Sequence, residues 1–149
     1  MITGGAGNDV FQFATTIVGV GASGTVAAVT ASVGTDTITE FVVANDQFQL
    51  DQTVFNASIG TDGGTLGASQ FVSQAGTGAV TEATGDLATD GGIIFDTTAR
   101  NVYYVERGAT LVSGTTTLAQ LVTASEATII ANITTLTGTL AATDFNIVA

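Results

Sequence analysis

The chain contains no cysteine, histidine, proline or lysine, and only two arginines. Without cysteine and histidine there are no disulfides, no thiol catalysis, no zinc fingers, no His- or Cys-ligated haem, and no Ser-His-Asp or Cys-His machinery. Without proline, the turns fall to 19 glycines and the Asx residues. The scarcity of basic groups against 13 Asp and Glu leaves a net charge of −11. That balance argues against nucleic acid, whose phosphates need Lys or Arg to displace counterions, and against anionic membrane surfaces. It suits divalent cations, and equally an acidity that keeps an exported product soluble. Apolar runs of about 18 residues are also missing, so no membrane insertion is expected. The N-terminal stretch has no basic region followed by an apolar one, so no Sec-type signal is visible and export would need another route.

The 149 residues suffice for one domain with a sizeable core, and 45% are hydrophobic, which disfavours disorder. Charged residues are only 10%, so Thr, Ser, Asn and Gln carry the surface, while abundant Thr, Val and Ile favour pleated sheets. "VFQF" (10–13) alternates as a half-buried strand should. Residues 14–33 read as strand, loop and strand. In "GTDTITEFVVANDQFQLD" (34–51), Ile38 and Phe41 bracket a bend, "NDQ" (45–47) is a turn, and Phe48 alternates with Leu50. Residues 56–69 and 74–92 read as glycine-rich loops. "TLGASQFV" (65–72) echoes "TLAATDFNIV" (139–148), each predicting a Thr-capped helical turn whose Phe enters the core. "GIIFD" and "NVYYVERG" predict two strands joined through "TTARN". Leu118, Leu121 and Val122 have helical spacing, although Thr-rich surroundings weaken a helix there. Residues 127–138 return to strand. The expectation is a single all-β domain with one or two short helical turns.

"GGAGNDVFQ" matches G-G-x-G-x-D-x-U-x, a calcium-binding nonapeptide. Calcium takes six to eight oxygens, and a short loop supplies them only if its carbonyls turn inward. Gly4, Gly5 and Gly7 permit the positive φ this needs, Asp9 adds a charged oxygen, and Phe11 points to the core. The competing reading is a glycine turn between strands with Asp9 as an Asx stabiliser. A phosphate loop fits less well, since no P-loop Lys exists.

The chain resembles the C-terminal region of RTX exoproteins, as found behind serralysin-type proteases and many type I-secreted proteins. Beyond the nonapeptide, "GTDTITEFVVANDQFQLD" is similar to that family's G-x-D-x-I-x-D-F-x-x-G-x-D-x-I-D-L stretch. "GASQFV", "GIIFDTTARNVYYV" and "IANITTLTGTLAATDFNIV" resemble its closing segments in the same order. The resemblance implies a short parallel β-roll turn (within 1–51) running into a β-sandwich (52–149). It also implies extracellular residence, calcium-coupled folding, and a C-terminal signal read by a type I exporter. Carried over position by position, Asp9 matches the ligand acid, Gly5 and Gly7 the carbonyl donors, and Asp36 and Asp46 the acids of the second stretch. Glu40 stands where Asp is usual, Asn45 replaces a Gly, Phe48 an Ile and Gln49 an Asp, which weakens any second calcium site.

One full nonapeptide does not make a roll, because calcium sits between neighbouring turns and solenoids need about three repeats. Either upstream repeats precede the chain, or its open β end stacks on another copy to build a homo-oligomer, filament or surface layer. The expected function is a non-catalytic calcium-binding, secreted structural module. An enzyme would rest on carboxylates alone, from Asp86, Asp90 and Asp96. A glycan- or surface-binding module would use Tyr103 and Tyr104 near Arg100 and Arg107. On a half-buried strand one tyrosine faces the core and the other the edge, and the arginines pair with Glu106 or Asp96.

Overall fold

The computed structural model describes residues 1–13, 36–55, 59–60, 62–82 and 86–149. The strand–loop–strand expected over 14–33 lies outside the described residues. The fold is mainly β, as expected, and the described residues include more short helices than the one or two expected.

Sequence alternation dictates the first sheet. In β1 (Val10–Phe13), β4 (Gln47–Asp51) and β10 (Phe145–Val148), every second residue is buried: Phe11 and Phe13, Phe48 and Leu50, Phe145 and Ile147. The three strands run parallel in the order β1-β4-β10, with Phe11, Phe48 and Phe145 in one row and Phe13, Leu50 and Ile147 in the next. A slip of one residue would turn each apolar row to the opposite face, so burial pins the register. Phe48 is the hub: its ring centroid lies 4.6 Å from Phe41, 4.9 Å from Phe145, 5.6 Å from Phe13 and 6.0 Å from Phe11.

The three passages meet again on one further side, and the second and third alone on another. Ile2 bridges Ile38 in β2 (Asp36–Ile38), which pairs in parallel with β8 (Ala127–Ile133). β3 (Phe41–Val42) pairs in parallel with β9 (Leu136–Thr137). Residues 2–13, 36–51 and 131–148 thus lie as three stacked passages, with the strands of 1–51 hydrogen-bonded to those at the far end of the chain.

Between the second and third passages the chain extends the β2-β8 sheet to five strands, in the order β2-β8-β7-β6-β5. β5 is Phe71–Gln74, β6 Gly92–Asp96 and β7 Asn101–Val105. "GIIFD" and "NVYYV" form the expected antiparallel pair. Both faces of this sheet are covered. Ile93, Phe95, Val102 and Tyr104 join the phenylalanine cluster, while Ile94, Tyr103 and Val105 join a second cluster with Val80, Leu87, Leu118 and Leu121. Tyr103 and Tyr104 are therefore both buried, at 4% and 8% exposure. The expected edge tyrosine does not exist, because α2 (Asp86–Asp90), α3 (Leu118–Thr123) and their loops cover the outer face.

α2 interrupts the loop expected over 74–92; α1 (Gln52–Phe55) follows β4 directly. α3 has the expected spacing and a full capping box: the Thr117 hydroxyl accepts from Gln120 N, and Gln120 Oε1 accepts from Thr117 N. The two echoed segments form 3₁₀ turns, Ala68–Gln70 and Ala142–Asp144, each followed by a strand opening on Phe. Their N-caps are Gly67 and Ala141 rather than the threonines. Phe145 is fully buried, Phe71 is half-buried, and the rings lie 5.7 Å apart.

Candidate metal centre

Asp9 and Asp46 occupy equivalent corners of the first and second passages, each two residues ahead of its core phenylalanine. The corner is held by main-chain bonds to carboxylate. Asp46 Oδ1 accepts from Asp9 N at 3.0 Å and Oδ2 from Val42 N at 2.7 Å, while Gln47 N donates to Asp9 O at 2.9 Å. Asp46, 2% exposed, thereby braces both passages. In the third passage Asp144, directly ahead of Phe145, caps its own 3₁₀ turn, with Oδ2 accepting from Ala141 N at 2.8 Å. Burial raises its pKa above the ordinary carboxylate value, and the main-chain bond opposes that rise.

Asp9 differs from both. It is 8% exposed, and its buried Oδ2 has no hydrogen-bond partner. A carboxylate oxygen in that state is costly unless a cation or donor meets it. Gly4 leaves a small gap beside it. A Cβ there would lie 3.0 Å from Asp9 Oδ2, 3.2 Å from the Phe11 ring carbon Cζ and 3.3 Å from the Glu40 carbonyl oxygen. Two oxygens and the edge of the Phe11 ring thus bound the space that a Gly4 side chain would fill.

The first passage leaves this space because it forms no strand beside β3. Gly5 and Gly7 take φ of 86° and 135°, which L side chains rarely adopt, and the chain arcs away. Gly5 and Ala6 then line a cleft of about 320 Å³ with Glu40, Phe41, Val42, Thr135 and Thr137. Gly4 has no positive φ, so its value here is its small size.

The orphaned oxygen and the glycine cradle fit a hard cation such as calcium. The chain would hold it through Asp9 Oδ2 and the Glu40 carbonyl, with the Gly5–Gly7 arc as the adjoining main chain and Asp46 as brace. Among the described residues, no group of three or more acidic side chains converges. The remaining ligands would therefore be main-chain oxygens or water. Asp36 lies on β2, outside the Asp9–Asp46 corner. Its buried Oδ2 is also unpartnered, and desolvation raises its pKa. The sequence reading missed the Glu40 carbonyl, because it looked to side chains at that position. It also missed the signal that pairs the two corners: "NDVFQF" (8–13) and "NDQFQL" (45–50) repeat at an offset of 37.

The other candidate residues are placed as follows. Asp86 and Asp90 open and close α2. Asp96 Oδ1 accepts from Gly76 N and Thr98 N, both at 2.8 Å, and from Ala99 N at 3.3 Å, so it builds the β6–β7 turn. Arg100 donates to the Thr134 carbonyl rather than to Asp96. Arg107 lines a shallow depression with Val54, Tyr104 and Glu106. No helix among the described residues is long and apolar enough to cross a membrane. Comparison with family models, with curated proteins and with solved structures returns no match.

Proposed function

We propose that this chain is a non-catalytic, calcium-binding structural module of a secreted, RTX-like protein. In this reading the three stacked passages are the end of a parallel β-roll, and the C-terminal segment is read by a type I exporter. The observation that carries the proposal is Asp9 Oδ2, buried without a partner and facing the Glu40 carbonyl across the Gly4 gap. Bound calcium would supply the positive charge this pair of oxygens lacks, and would offset part of the net charge of −11. Coupling to folding follows, because the two oxygens come from different passages and meet only in the folded chain.

The test is thermal unfolding in chelator and in millimolar calcium. A site filled 100-fold above its Kd adds about 2.7 kcal/mol, a readily measured rise in Tm. Asp9→Asn should abolish the calcium-dependent part of that rise. Equal Tm values in chelator and in calcium would remove the reading. Self-association by β-edge stacking predicts a concentration-dependent sedimentation coefficient in calcium, and a strict monomer there would remove that part alone. Deletion of residues 139–149 should abolish export through a type I system.

A further inference from the structure

A second cleft, of about 210 Å³, lies where the β6–β7 hairpin tip meets the loop after β9. Its floor is apolar, from the buried Phe95 and Leu140 with half-buried Leu136. Exposed hydroxyls of Ser73, Thr97 and Thr139 stand around it, and Arg100 closes one side. The chain has 13 acidic residues, yet none of the described residues lining this cleft is acidic. The nearest in sequence, Asp96, turns Oδ1 to three main-chain N–H groups, two in the turn and one at Gly76 in the loop after β5. Arg100 holds a φ of 56°, a conformation that glycine or asparagine adopts more readily, so the turn alone does not call for arginine. Its bond to the Thr134 carbonyl uses one of five guanidinium donors and anchors the side chain. Arg107, the only other basic side chain, sits beside Glu106.

We infer that this cleft binds a small acidic sugar of the hexuronate class. The carboxylate pairs with Arg100, the C–H face of the ring lies on Phe95 and Leu140, and the ring hydroxyls bond to Ser73, Thr97 and Thr139. The Thr97 hydroxyl already donates to Gln74 O at 3.1 Å, which leaves its oxygen to accept. The overall negative field admits such an anion only where a cation stands without a competing carboxylate, and among the described residues this is the Arg100 cleft.

The test is amide chemical-shift titration of the calcium-loaded chain with galacturonate, galactose and acetate in turn. Galacturonate should give saturable shifts at Ser73, Thr97, Arg100 and Thr139, with a Kd of about 1 mM. Galactose and acetate should each bind at least about tenfold more weakly. Arg100→Asn, which tolerates the positive φ, should weaken galacturonate about tenfold with Tm unchanged, whereas Asp9→Asn should leave it intact. Absence of shifts at these residues overturns the proposal, as does equal binding by galactose. Equal binding by acetate overturns the sugar assignment.

Discussion

Phe48 illustrates how much of this molecule depends on single side chains. It is fully buried and stacks against Phe41 and Phe145, with Phe11 and Phe13 also in reach. Phe48→Ala should cost about 3–5 kcal/mol, read as a lowered urea midpoint with the m-value unchanged. Gly4→Ala should act differently. Its Cβ would occupy the space between Asp9 Oδ2 and the Glu40 carbonyl, removing the calcium response while costing about 1–3 kcal/mol without calcium. Asp36 predicts a pH dependence. Its pKa is raised in the folded state by burial, so the folded chain holds its proton more tightly than the unfolded chain. Its charge therefore destabilises the fold at neutral pH, and that burden lifts as pH falls through the raised pKa toward the unfolded value. Asp36→Asn should raise Tm at pH 7 in chelator and flatten the Tm profile between pH 7 and 4. The arc at Gly5 and Gly7 was legible in sequence, because glycines so crowded suit a loop of positive φ better than a helix or strand. The role of Gly4 was not, since small size and positive φ leave the same letter in the sequence.

Elements with strict periodicity were the readable ones. "VFQF" and the Phe48–Leu50 pair alternate cleanly, and each became a strand with its apolar face inward, although Gln47, expected in the turn, already belongs to β4. "GIIFD" and "NVYYV" were read correctly as a strand pair, but which sides they bury depends on what packs above the sheet, and alternation on one strand does not show that. α2 was missed because "TGDLATDGG" has the composition of a loop, and the helical turn is held by tertiary contacts, the burial of Leu87 and the bond from its N–H to the Glu82 carboxylate. α3 carries an element-scale prediction. Thr117→Ala removes the hydroxyl that accepts from Gln120 N, and should cost about 1 kcal/mol by denaturant unfolding. Gly92 tolerates even less. A Cβ there would meet the Gln70 carbonyl oxygen at 2.2 Å, so Gly92→Ala should disrupt β5–β6 pairing and destabilise the chain by about 3 kcal/mol or more.

The whole molecule hid its plan most thoroughly. Composition announced a β fold, but nothing local tells β4 that one neighbour lies 37 positions upstream, or that the other side chain it meets, Asn146 on Gln47, lies 99 positions downstream. The charge is a whole-molecule property as well. With a net charge of −11, added sodium chloride should raise Tm in chelator and raise it less once calcium is bound. The placement of β10 carries a kinetic consequence. The central strand of the phenylalanine sheet gains its second neighbour only when the last residues arrive, so closure of the core is a late, non-local event. A chain of such high contact order should refold over milliseconds to seconds, and one ending before Phe145 should stay expanded and open to protease.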